Sequence, residues 1–183
     1  MNIELLLNRM PSDGPLMLKA HRTPGPGLPL RLDPVLVFAA ATAPVTYEIE
    51  TIRHLGRDVA LCTDLRRFNN LVGSPSRVWS LLFIEIEGFG GISAVLDKLR
   101  ILRLERPDLP VVMASTRMRA HDLSVERLSI CDVSLALPAD AADVNVALQK
   151  ARVNNFAWQM RQMNIVEGEA VVPEDTLLLA QGA

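Results

Sequence analysis

Two carboxylates, Glu85 and Glu87, sit where an apolar run gives way to glycines, in SLLFIEIEGFGG (80–91). A carboxylate in such a place can ligate a cation, attack an electrophile, or accept hydrogen bonds from loop amides. Strand ends in α/β proteins are where such chemistry is usually built. Hydroxyls recur in similar settings. Ser115 and Thr116 close the run PVVMAST, and Thr42 and Thr46 punctuate ATAPVT (41–46). The latter loop is a poor phosphate cradle, because Pro44 removes an amide donor and no glycine lets backbone approach an anion. GFGG (88–91) follows the third apolar run, not the first, and lacks dinucleotide-fingerprint spacing, so it reads as turn chemistry.

Other reactive side chains form no constellation. Cys62 and Cys131 each lie in an apolar run and read as buried free thiols. His21, His54 and His121 are scattered, and no pair has metal-ligand spacing. No metal and no cofactor are therefore expected. The net charge of −2 gives no basic surface for nucleic acid. No apolar run approaches the roughly 18 residues that cross a bilayer. MNIELLLNRM carries Glu4 and no basic leader, so a cytoplasmic location without membrane contact is expected.

The elements that must position these groups follow from periodicity. At 183 residues and 49% hydrophobic, the chain can build one ordinary core. Residues 1–33 hold PSDGP and TPGPGLP and read as an arm with a helical turn or two at 2–10, because Pro and Gly at this density block regular structure. Residues 34–153 form the domain, and 154–183 a helical extension and tail. Short apolar runs at 34–41, 58–64, 78–87, 110–116 and 131–137 read as buried strands. Helical spacing is predicted at 44–56, 65–75, 91–110 (Ile92, Val95, Leu96, Leu99 and Leu102 inward), more weakly at 118–130, and from 140 onward, where Asp140 and Asp143 suit the helix start. This alternation predicts an α/β, flavodoxin-like (βα)5 doubly wound parallel sheet in strand order 2-1-3-4-5.

In this arrangement residues 34–155 resemble the receiver domain of bacterial two-component response regulators. In that family a phosphoryl group is caught on an aspartate ending the third strand. Two acids after the first strand hold Mg²⁺, a Ser or Thr ends the fourth strand, and a Lys followed by Pro ends the fifth. Metal and cation neutralise the phosphate oxygens while the carboxylate attacks. The acidic pair falls on Ala39 and Ala40, the phosphoacceptor on Glu85, the hydroxyl on Ser115, and the lysine on Leu137, with Pro138 retained in LALPAD. The fifth-strand aromatic falls on Ser134, and the loop after Glu85 is about two residues shorter than the family's and lacks its Met-Pro. The resemblance therefore implies a degenerate, pseudo-receiver pocket. Alanine and leucine supply neither the oxygens a hard cation wants nor the charge a phosphate wants.

Three readings of Glu85 stay open: phosphoacceptor, fixed phosphomimic near Ser115, or polar strand end hydrogen-bonded to loop amides or water. Glu87 reads as solvated loop charge. The leading expectation is a non-enzymatic signalling or scaffold module that works by protein–protein contact, using the helix at 118–130, the fifth strand and the last helix. The alternatives are a flavodoxin-like ligand-binding domain using Thr42, Thr46, Glu85 and Ser115, or an unorthodox phosphoacceptor. No helix-turn-helix, cyclase or kinase output module is legible in the chain.

The last helix carries the other clue. Val144, Leu148 and Ala151 are spaced to face the sheet. If the helix passes Asn154–Asn155, then Val146, Val153, Phe156, Met160 and Met163 recur at spacings of seven, three, four and three, nearly opposite the core stripe. Gln149 fills the missing seam position. Such a stripe predicts homodimerisation or docking of a protein partner. A break at the Asn pair predicts packing back onto the domain instead.

Overall fold

Residues 32–73 and 79–169 are described by a computed structural model. The helical turns expected at 2–10, His21 and the apolar tail at 177–180 lie outside these residues. The strands are β1 (Leu32–Phe38), β2 (Arg57–Cys62), β3 (Leu81–Glu85), β4 (Val111–Ser115) and β5 (Val133–Ala136). The helices are α1 (Thr46–His54), α2 (Phe68–Val72, entered through a 3-10 turn at Leu65–Arg67), α3 (Ile92–Glu105) and α4 (Ala141–Glu169). The five strands pair in parallel in the order 2-1-3-4-5, as predicted.

Both sheet faces are covered, so the strands are apolar on both sides. Val35, Val37, Phe83 and Val112 point to the face packed by Ile49 and Ile52 of α1 and by Val144, Leu148 and Ala151 of α4. Leu36, Phe38, Leu82 and Ile84 point the other way, onto Phe68 and Leu71 of α2 and Val95, Leu99 and Leu102 of α3. The alternation within each strand is the period-two geometry of the pleat. The apolar face of α3 is narrower than its sequence suggests. Ile92, in its first turn, is 41% exposed, and Leu96 is only half-buried.

No helix forms at 118–130. The segment is a series of turns, and Asp122 exchanges backbone hydrogen bonds of 2.8 and 2.9 Å with Ser134 of β5. The reason is local. The Asp122 carboxylate accepts from the Ser124 amide and the Ser124 hydroxyl from the Glu126 amide, at 3.0 and 3.4 Å. Side-chain-to-backbone bonds of this kind compete with the helical ladder. The segment therefore forms a strap of turns bridged to β5 at Asp122, and the helical surface expected there is absent.

Helix α4 runs 29 residues without a break at Asn154–Asn155. Its start is capped by Asp140, whose carboxylate accepts from the Asp143 amide at 2.8 Å. Far from ending the helix, both asparagines are buried, at 1% and 2% exposure. Asn154 Nδ2 donates to the carbonyls of Leu123, Ser124 and Asp132, and Asn155 Nδ2 to that of Pro107. The pair ties the helix to the strap and to the α3–β4 turn by satisfying carbonyls that no ladder reaches.

Candidate functional site

Parallel pairing brings the ends of β1, β3, β4 and β5 to one rim. Glu85 registers with Ala114, and Ser115 with Ala136. Leu137 continues the ladder by donating its amide to the Ser115 carbonyl at 2.9 Å. The residues that the sequence assigns to the degenerate pocket, Ala39, Ala40, Glu85, Ser115, Leu137 and Pro138, thus all lie at this edge or just beyond it.

Glu85 is fully buried. Its side chain turns back onto its own loop. Oε1 accepts from the Glu87 amide at 2.8 Å and Oε2 from the Gly88 amide at 3.0 Å. A carboxylate with amide donors on both oxygens is well solvated by protein.

The loop is drawn tightly over this carboxylate. A Cβ placed on Gly88 would lie 2.6 Å from the Ala40 methyl and 2.9 Å from Glu85 Oε2. The Gly88 backbone therefore fills the space between the two residues. A shortened loop, a glycine and an alanine across from it act together. Ala40 contributes smallness at this contact.

The hydroxyl at the end of β4 is engaged as well, but not by Glu85. Ser115 Oγ donates to Glu87 Oε1 at 2.6 Å and accepts from the Arg117 amide at 3.0 Å. Arg117 Nε pairs with Glu87 Oε2 at 3.1 Å. Glu87 is therefore not a solvated loop charge: its side chain is 17% exposed and bridges a hydroxyl and a cation. Neither its role nor Arg117 is evident from the sequence. The signal available was a basic residue two positions past the strand-ending hydroxyl. Nothing in the sequence says which carboxylate it meets.

The remaining rim residues do not join this network. Leu137 is buried in the core with Val144 and Leu148, while Pro138 is exposed and follows a cis peptide bond. Thr42 and Thr46 are exposed. Glu48 of α1, passed over by sequence reasoning, is buried and accepts from the Ala139 amide at 3.1 Å, tying α1 to the segment after β5. No cluster of three or more His, Cys, Asp or Glu among the described residues is arranged to hold a metal ion. Cys62 and Cys131 are free and buried, and burial pushes both thiols up, away from the reactive thiolate.

A second feature lies on α4. Val144, Leu148 and Ala151 are buried against the sheet. Val146, Val153, Phe156, Met160 and Met163 are all exposed, Phe156 by 63% and Val153 by 60%. A continuous helix thus carries two apolar stripes, and the domain satisfies one of them. No helix among the described residues is long and apolar enough to cross a membrane.

Comparison with known proteins bears on the fold. No protein-family profile matches the chain, and no curated protein sequence matches it. Several solved structures do. A response regulator from Thermotoga maritima superposes with a TM-score of 0.51 at 16% identity, covering 67% of this chain and 99% of its own. A receiver domain protein from Clostridium thermocellum gives 0.50 at 15%, covering 69% and 98%. A response regulator from Burkholderia pseudomallei, described with a phosphorylated aspartic acid, a calcium ion and citrate, gives 0.50 at 14%, covering 75% and 86%. At such identities the likeness is one of architecture. The strand order, the parallel pairing and these superpositions together give the five-stranded domain the flavodoxin-like fold seen in response regulator receiver domains.

Proposed function

We propose that this chain is a pseudo-receiver: a non-enzymatic signalling or scaffold module that acts through protein–protein contact and has no aspartyl-phosphate switch. The observation that carries the reading is the closed rim. Glu85 is buried and held by two amides, and Gly88 packs onto Ala40 where a metal ligand would stand. Ser115 is committed to Glu87, and Leu137 belongs to the core. A phosphoryl group on Glu85 would need two loop amides to let go and space that the loop backbone fills. It would also need a neutralising charge at a position that leucine holds.

The expected result with acetyl phosphate and Mg²⁺ is an unchanged intact mass. A stoichiometric phosphoryl adduct mapped to Glu85 would refute the reading.

The contact surface in this reading is the outer stripe of α4. Phe and Met are effective anchors in helix–helix contacts, and one Phe, two Met and two Val left in water favour a covering partner. Replacing Phe156 and Met160 together by glutamate is expected to abolish association. Both sites are exposed, so folding should change by less than about 0.5 kcal/mol per site. Sedimentation velocity and pull-down from the native cell check this. If the wild type and the double variant are both monomeric and retain the same bound proteins, the stripe is not the working surface.

A further inference from the structure

The charge pattern around the α4 stripe says what kind of helix covers it. Val146, Val153 and Met160 occupy one seam position of a heptad repeat, and Gln149, Phe156 and Met163 the other. The positions that own the sheet contact, Val144, Leu148 and Ala151, fall outside this seam. The helix can therefore serve its domain and a partner helix at once. Lys150 and Arg152 flank the seam, one on each side, and Arg161 lies near its far end; all three are exposed. They form no ion pair among the described residues. From Val144 to Val166 there is no Asp or Glu at all.

That gap discriminates between occupants. A second copy of the chain, docked parallel or antiparallel along this seam, would bring Lys150 and Arg152 against the same acid-free span. Flanking charges on paired helices set partner choice through attraction and through like-charge exclusion. Resting on the reading of this stripe as the contact surface, we infer that α4 docks an amphipathic helix of a different protein, whose apolar stripe is flanked by Asp and Glu. The Lys and Arg rim both selects that helix and disfavours self-association.

The test uses the full chain and two synthetic helical peptides of about four heptads, identical in their leucine seam but with flanking positions all Glu or all Lys. The expected result is a monomer in sedimentation velocity that binds the Glu-flanked peptide about tenfold or more tighter than the Lys-flanked one. Raising the salt concentration should shrink the difference, and Lys150→Glu/Arg152→Glu/Arg161→Glu should reverse it. Equal binding of the two peptides, or no effect of charge reversal, overturns the inference while leaving the stripe as a contact surface. A stable homodimer assigns the seam to a second copy and also overturns it. Should Leu177→Glu/Leu178→Glu be required before either peptide binds, the chain's own tail is the occupant and the inference is wrong. Binding that survives Phe156→Glu/Met160→Glu defeats the underlying reading of the stripe itself.

Discussion

Replacing Asp132 by alanine is expected to lower stability by about 3–5 kcal/mol, the largest effect of any polar substitution proposed for this chain. Asp132 stands just before β5 and pairs with Arg103 of α3 at 2.8 Å, with both side chains almost wholly buried. Its Oδ2 also accepts from the Val111 amide at 2.6 Å. Burial pushes the Asp132 carboxyl above the ordinary carboxylate range, and the Arg103 guanidinium offsets only part of that rise. Truncation leaves a guanidinium in the core with only the Leu109 carbonyl, at 3.5 Å, and the Trp158 ring, 5.9 Å away, to meet it. It also leaves the Val111 amide without its side-chain acceptor. The loss arises from an orphaned charge rather than from the net worth of the pair. The double variant Arg103→Met/Asp132→Asn, which removes the charge and keeps an acceptor for Val111, should therefore recover much of the stability. Urea denaturation of Arg103→Met, Asp132→Asn and the double variant forms the cycle, with Asp132→Ala measured beside it. Strictly additive losses would show that the two side chains do not act as a pair.

Replacing Gly88 by alanine is expected to cost about 1–3 kcal/mol, the usual range for overpacking. The added methyl would sit 2.6 Å from the Ala40 Cβ and 2.9 Å from Glu85 Oε2. The loop would have to lift, stretching the hydrogen bonds that the Glu87 and Gly88 amides donate to the Glu85 carboxylate. Ala40→Gly removes the opposing methyl and should restore part of the loss. The same denaturation measurement decides the matter. A fully tolerated Gly88→Ala would mean that the rim is looser than its contacts indicate, and the case for a closed pocket would weaken with it.

Much of the fold was legible because parallel strands buried on both faces must be apolar throughout. VLVF, LLFI and VVMA announce themselves, and the intervening helical periods leave few topologies open. The helix expected at 118–130 misled for an identifiable reason. Apolar residues are present there, but Asp122 and Ser124 cap their own backbone, and Asp122 pairs with Ser134. Asn154 and Asn155 left the continuity of the last helix open. Asparagine in a helix reads as a weak point until buried carbonyls from distant turns are seen to need its amide group.

The candidate site divides along the same line. Ala39, Ala40 and Leu137 are legible from the sequence alone as rim positions whose side chains carry neither a ligand oxygen nor a charge. What occupies the rim in their place is a matter of contacts between separate elements: Glu87 and Ser115 meet across 28 residues, and Arg117 closes on them from the next turn.

By itself, the sequence determined the strand order and placed alanine at 39 and 40 and leucine at 137, and it set the heptad spacing on the last helix. These follow from side-chain identity and period, which travel with the chain. Only the tertiary structure decided that Glu85 is held by the loop amides, that Glu87 takes the hydroxyl of Ser115, and that α4 continues past its asparagines with one stripe uncovered. Each of those depends on which donors and acceptors are brought within about 3 Å of one another, and it is the packing of the sheet that sets such distances.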